Sequence, residues 1–344
     1  MTRIAYLVSS ANEITMADGA KHPTGYFAEE ALKPYERFVA AGFDVVVVTP
    51  DGKAPTADPY GLSWFFHYPD EDKDYLNSVA RTFAHDPDDI RFTLHQVTEL
   101  GLAAARRLAE TLQARGLSAA DAHAVVSKAA KVAWREDRAL AEVMSDPELS
   151  GGLSSQEVQA AVAAQREASE QLAAERKAKL DAIPGFVNPA SLAELSDDQM
   201  AAFDAVFAPG GHGPMVDLAD DHSVSRLLVA LHSKRALIAS LCHGPALLLS
   251  APDRPDGQWL FDGYRITCFT DEEEDQTEPG RIGLPWYVDT ALMNAGAVFD
   301  DGPAAWSSHV VVDRNLITGQ NPGSTEAVAD AVIKAMSAVS TEAA

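Results

Sequence analysis

The sequence predicts an α/β protein built on a mainly parallel sheet and interrupted by one large helical segment. Three observations lead there. Short apolar runs of strand length alternate with helical stretches near both ends of the chain. Strands alternating with helices place the helices on both faces of a parallel sheet. Between those ends, from roughly Trp64 to Pro184, no convincing buried strand occurs. The expected division is a core of residues 1–63 and 188–344, with residues 64–187 as a helical insertion serving as a lid, a dimer contact or decoration.

The elements follow in order. "IAYLVSS", Ile4 to Ser10, is apolar enough for a buried parallel strand. "GYFAEEALKPYERFVAAGF" has helical periodicity through Phe27, Ala31, Tyr35, Phe38 and Val39, with Gly42 as its stop. Pro34 inside it predicts a kink, or a boundary near Lys33. "DVVVVTPDG" is a second buried strand. Two alanine-rich stretches with mixed charges then read as helices, the second opened by a Ser154/Glu157 capping box and closed by Pro184-Gly185. They suit a solvated hairpin or small bundle, with a coiled-coil partner surface as the alternative.

From Asp204 the alternation resumes. "DAVFAPGG" is a strand entering a glycine-rich turn, "SVSRLLVALHSK" an amphipathic helix, and "ALIASLC" a strand followed by the start of a helix, "GPALLLSA". "YRITCFT" is expected as a further strand. "HVVVDRNLITGQ" reads as a hairpin turning at Asp313-Arg314-Asn315, before a closing helix capped by Ser324.

Composition narrows the function. The formal net charge is −24, from 51 acidic and 27 basic residues. Such a surface repels nucleic acid and anionic membranes. No stretch reaches the length of a membrane span, and the N-terminal apolar run is too short for a signal peptide. The two cysteines form neither a CxxC pair nor a disulfide framework. A cytoplasmic location is expected.

The chemistry centres on Cys242. A strand ending there, with a helix opening at Gly244-Pro245, is the setting of a nucleophile elbow. The helix dipole predicts a thiol pKa below the free value of about 8.5. Cys268, inside an apolar strand, reads as inert packing. His243 is not expected to be the base from adjacency alone, since neighbours at a sharp turn point apart; its backbone N–H suits an oxyanion hole. "APGGHG", Ala208 to Gly213, offers further exposed amides, with Gly211 the first choice of second donor. A phosphate loop is the rival for these glycines, but the GxxxxGK[ST] pattern is absent. Of Glu29 and Glu30 only one is expected to turn inward. "TDEEEDQTE" supplies a carboxylate to orient His243.

Together, "SLCHGP", "FAPGGHGPMVDL", "DGAKHPTGYFAEEALKPYERF", "ITCFTDEEE" and "HVVVDRNLITGQNPGS" resemble the ThiJ/PfpI superfamily, also called class I glutamine-amidotransferase-like. Within it they are most similar to the heat-shock chaperone and glutathione-independent glyoxalase III branch. The resemblance implies a flavodoxin-like core and a Cys-His-Glu arrangement. It assigns Cys242 as nucleophile, His243 as its partner and Glu30 as the acid that contacts the thiol. Glu274 becomes the carboxylate of the triad, with Glu273 as the alternative. Gly211 and the His243 amide become the oxyanion hole, and Gly210 and His212 line the same turn. The long helical segment lies outside the family pattern. The metal-binding His/Glu set of some chaperone relatives is not evident, since His22 stands alone.

The implied reaction converts a small 2-oxoaldehyde such as methylglyoxal into a 2-hydroxy acid, with no redox cofactor and no glutathione. The implied assembly is a homodimer. The alternatives are a stress chaperone or redox sensor with little turnover, and a PfpI-like cysteine hydrolase (peptidase, amidase or deglycase). An amidotransferase is weaker, because the chain shows no synthetase domain.

Overall fold

The computed structural model describes residues 2–63, 66–83, 97 and 100–342. Apolar runs become the strands β1 (Arg3–Leu7), β4 (Asp44–Thr49), β6 (Ala205–Ala208) and β7 (Leu237–Leu241). Two short strands, β2 (Glu13–Thr15) and β3 (Lys21–Pro23), form a separate antiparallel hairpin between β1 and β4. The main sheet is completed by β5 (Ala190–Ser191) and by β10 (Val310–Asp313) with β11 (Leu316–Gly319). Its order is β10-β11-β7-β6-β1-β4-β5, parallel throughout except for the β10–β11 hairpin. This is a flavodoxin-like, doubly wound sheet.

One apolar cluster, built on Leu7, Val206, Leu227 and Leu247, covers one side of the sheet. A second, built on Tyr6, Phe38, Phe207 and Val328, covers the other. Strands buried on both faces explain why their sequences read as continuous apolar runs rather than alternating ones. From β1 the chain moves outward to β4 on one side and through β6 and β7 on the other. The crevice above the carboxyl ends of β1 and β6 is therefore the topological switch point, where open α/β sheets bind ligands.

Several expectations are corrected. The first helix runs unbroken from Ala28 to Ala40 through Pro34, with no boundary at Lys33. Proline has no N–H to give the carbonyl one turn back. The Tyr6 hydroxyl of β1 approaches that gap, donating to the Ala31 carbonyl at 2.6 Å and lying 3.4 Å from that of Glu30. "YRITCFT" yields only β8 (Arg265–Ile266), which pairs with β9 (Val298–Phe299) outside the main sheet. Thr267 cannot extend the ladder as a strand would, because its N–H is taken by the Thr318 hydroxyl. Beyond Cys242, "GPALLLS" folds as a tight 3₁₀ helix, Gly244–Ser250, instead of an α-helix. Ser324 stands at the residue before the closing helix, Thr325–Glu342, and its hydroxyl also accepts from the His309 amide.

The chain divides into two compact units, Met1–Leu62 with Arg176–Ala344, and Ser63–Glu175. The second is helical in its described residues and closes on its own core of Leu102, Leu108, Leu112, Val126, Leu140, Met144 and Val158. Inside it, Arg106 pairs with the buried Asp72. Ser154 and Glu157 form the reciprocal hydrogen bonds of a capping box at the start of helix Ser155–Asp181. Trp64, the expected first residue of the insertion, lies outside the described residues. The core unit resumes at Arg176, earlier than Asn188, for a physical reason. Arg176 makes an ion pair with buried Glu29, Lys179 pairs with Glu36, and Leu180 and Phe186 enter the core cluster.

Candidate active site

Cys242 is the first residue after β7 and holds a left-handed backbone, φ +58°. That conformation is costly for a residue with a Cβ and marks a sharp turn. It is held from both sides: the Cys242 N–H donates to the Gly319 carbonyl, and its carbonyl accepts from the Phe269 N–H. The tight reversal corrects the expectation that His243 points away. His243 Nδ1 lies 3.2 Å from Cys242 Sγ, and its Nε2 lies 2.5 Å from Glu274 Oε2. Glu274 can only accept from His243 if Nε2 carries the proton, which leaves the Nδ1 lone pair facing the sulfur. Phe269 stacks on the His243 ring at 4.7 Å, and Trp306 meets Phe269 edge-on.

The first helix brings Glu30 into the same space. Its Oε2 accepts from the Gly210 N–H at 2.9 Å, and the carboxyl lies against the Cys242 thiol. Glu30 is 0% exposed, and burial pushes its pKa up to about 8, against the opposing pull of the thiol and the Gly210 amide. Glu29 faces elsewhere, held by Lys33 and Arg176. Both adjacent acids are buried, but only Glu30 reaches the sulfur.

The expectation of a depressed thiol pKa is overturned. Cys242 is 3% exposed, and burial, with the Glu30 carboxylate second, pushes its thiol well above the ordinary value. The seven-residue 3₁₀ helix does not reverse this. The amides of Gly211 and His243 do aim at the sulfur and pull the other way. Both donors assigned to the oxyanion hole thus face the thiol. Gly210 does not join them, because its N–H is committed to Glu30. Its role is spatial: an added Cβ would stand 2.6 Å from Cys242 Cβ and 2.7 Å from Glu30 Oε2. Gly211 needs φ +91°, which suits glycine alone.

Glu273 and Glu274 are neighbours with different tasks. Glu273 caps the short helix Asp271–Glu274 and accepts from Trp306 N, Gln320 and Asn321. Glu274 faces the histidines. Burial opposes its ionisation, but the charges and hydrogen bonds of His212 and His243 hold it well below the usual carboxylate range. His212 is buried against this carboxylate, its Nε2 3.0 Å from Glu274 Oε1. Donor atoms of His212, His243 and Glu274 lie within 4.8 Å of one another. Both Glu274 oxygens already accept from the rings, so the group is a satisfied hydrogen-bonded set whose ring nitrogens point protons inward.

Sequence reasoning missed Asp58, whose Oδ2 is 3.7 Å from His212 Nδ1, and Thr277, whose hydroxyl donates to Glu274 Oε1. It also missed the aromatic cover of Phe269 and Trp306. Neither "ADPYG" nor the tail of an acidic run carries a signal for such contacts. Cys268 is 0% exposed, with its sulfur against the Phe269 carbonyl.

A doubly wound sheet with a cysteine at a strained turn above its switch point, backed by His and Glu, defines the class. The chain belongs to the DJ-1/PfpI family, whose model matches residues 160–335. Among curated relatives, glutamine amidotransferase-like class 1 domain-containing protein 1 of Bos taurus is 38% identical over 40% of this chain and 60% of its own length. Glyoxalase 3 of Candida albicans is 28% identical over 42% and 63%. Protein/nucleic acid deglycase HchA of Pseudomonas aeruginosa is 34% identical over 41% and 50%. The chain therefore matches between half and two thirds of those relatives' lengths. The crystal structure of glyoxalase III from Candida albicans shares the fold, with a TM-score of 0.55 at 19% identity and 97% coverage of both chains. Rapid Encystment Protein 24 KDa of Francisella tularensis does so with a TM-score of 0.56 at 17% identity, covering 97% of this chain and 98% of that one. Among the described residues no helix is long and apolar enough to cross a membrane.

Proposed function

We propose that the chain is a glutathione-independent lyase of the glyoxalase III type, converting a 2-oxoaldehyde such as methylglyoxal into a 2-hydroxy acid, D-lactate. One observation carries this reading: a buried carboxyl, Glu30, with its pKa near about 8, lies against the thiol of Cys242. A group poised there can both take and return a proton near neutrality. A hydrolase needs the thiol, its base and the oxyanion donors; the lyase needs, in addition, a carboxyl at the carbon bonded to the sulfur.

The Cys242 proton passes to His243 Nδ1 as the sulfur bonds to the aldehyde carbon, and the proton ends on the former aldehyde oxygen. The Gly211 and His243 amides stabilise the oxyanion on the way. Ionised Glu30 takes the C1 proton of the hemithioacetal as the C2 oxygen is protonated to give an enediol, then returns that proton to C2 as the C1 hydroxyl loses its own, leaving a thioester and no net change in protons. Water cleaves the thioester to the 2-hydroxy acid and regenerates the thiol. Turnover therefore rises with pH through about 8, as Glu30 ionises. The relatives named glyoxalase 3 and deglycase both support carbonyl chemistry at the thiol. The buried, raised thiol weighs against a redox sensor, which needs an accessible thiolate. A homodimer in the cytoplasm belongs to the same proposal, and sedimentation velocity reads its assembly.

The test is incubation with methylglyoxal in the absence of glutathione, following D-lactate. Turnover by the wild type and its loss in Cys242→Ala are expected. Full activity in the variant, or none in the wild type, removes the lyase reading. Ammonia or amine release from a glycated or amide substrate would then favour the hydrolase or deglycase. Aggregation suppression that survives Cys242→Ala would favour the chaperone.

A further inference from the structure

His212 stands between two carboxylates. Its Nε2 is 3.0 Å from Glu274 Oε1, and its Nδ1 is 3.7 Å from Asp58 Oδ2. Both acids and the ring are buried. A neutral imidazole has one N–H and one lone pair, so it would turn its lone pair on one of the two carboxylates. The imidazolium gives an N–H to Glu274 and turns its charge and second N–H towards Asp58, which stands at ion-pair distance. Neither acid is free to turn away. Asp58 is held by the Thr24 hydroxyl and the Tyr60 N–H, and Glu274 Oε1 by the Thr277 hydroxyl.

The other oxygen of Glu274 holds His243, whose ring centroid is only 4.3 Å from that of His212. Two imidazoles share one carboxylate, and two cations at that separation repel strongly in a buried site. The geometry points to His212 as a positioning residue: a standing cation that locks Glu274 in a two-ring bridge and keeps His243 neutral, with its Nδ1 lone pair on Cys242. This deepens the lyase reading and rests on it for its catalytic meaning.

The charges agree with the geometry. The groups facing His212 are Glu274, Asp58 and His243, with Glu30 further off. Burial works against the His212 cation, but Glu274 and Asp58 outweigh it and push the ring up to about 10. For His243, burial and then the His212 charge press its basicity below the ordinary value, against Glu274 and Asp58. Charge in the cluster is thus sorted before any substrate arrives: Glu274 anionic, His212 cationic and His243 an unprotonated acceptor.

The test is ¹⁵N NMR of the histidine rings in the full chain, with His212→Gln, which keeps an N–H donor for Glu274 and removes the charge. In the wild type at pH 7.5 His212 should show two protonated ring nitrogens and His243 one. In His212→Gln the midpoint of His243 should rise by about one pH unit, since a like charge has gone. An unmoved His243 in a folded variant overturns the proposal, because removing a cation whose ring stands 4.3 Å away must raise its midpoint. Should the variant fail to fold, the wild-type spectrum decides: a His212 ring with a bare nitrogen at pH 7.5 overturns the clamp. Methylglyoxal turnover is read on the same samples. Absence of turnover with the expected spectra would sink the lyase reading and leave the clamp standing.

Discussion

Cys242 and Cys268 are both buried, and burial pushes both thiols upward. Their surroundings differ in every polar contact. Cys242 sits on a left-handed turn with an imidazole nitrogen, a buried carboxyl and two backbone amides directed at the sulfur. Around Cys268 the next causes after burial are the acids Asp289, Glu273, Asp271 and Asp301, every one of which raises the thiol further. Its sulfur meets the Phe269 carbonyl, an acceptor that offers no stabilisation to an anion. Exposure therefore does not separate the two thiols. What separates them is the presence of groups that can accept the proton and stabilise the anion once a substrate has entered.

The largest effect expected from this contrast is in turnover. Cys242→Ala should lower methylglyoxal turnover by about a thousandfold or more. Cys268→Ala should leave kcat/KM within about twofold. A Cys268 variant as inactive as the Cys242 variant, while still folded, would erase the distinction.

Next comes the acid beside the reactive sulfur. Glu30→Gln should reduce kcat by about a hundredfold or more, while the cysteine adduct remains detectable by mass spectrometry. The same change should make the protein more stable at neutral pH. The Glu30 carboxyl ionises near 4.5 when exposed and near about 8 in the fold. Its stabilising contribution is complete below the unfolded value and is lost as pH rises through the folded one. Urea unfolding should therefore show a gain for Glu30→Gln that is absent at pH 4 and reaches at most about 3 kcal/mol at pH 7. A gain that is equal at both pH values would mean that the carboxyl is not the burdened group.

The smallest effect belongs to the inert thiol. Cys268→Ala removes one buried sulfur and should cost about 1 kcal/mol in urea unfolding. A cost several times larger would show that Cys268 organises the polar residues around it.

The same contrast explains how far the sequence could be read. Long apolar runs such as "VVVV" and "LIASL" were legible because burial on both faces leaves no alternation to interpret. Cys242 was legible from its place between a strand and Gly-Pro. The level of its pKa was not, since that depends on how much of the turn is covered, and Phe269 and Trp306 come from distant segments. Glu274 and Glu273 could not be ranked from spacing. Only the fold turns one to the histidines and the other to Asn321 and Gln320. The compact unit that holds the sheet takes in Arg176 and Leu180, which sit in a helix of uniform composition where nothing local marks the point at which its side chains begin to meet buried partners.

Pro34 has an effect that reaches past its own turn. The ladder of its helix lacks a rung at the carbonyl of Glu30, and a phenol rooted in the neighbouring strand stands under that gap. The height of the acid above the sulfur is thus referenced to the sheet as well as to the helix that carries it. Cysteine and acid, 212 positions apart in the chain, share one datum plane.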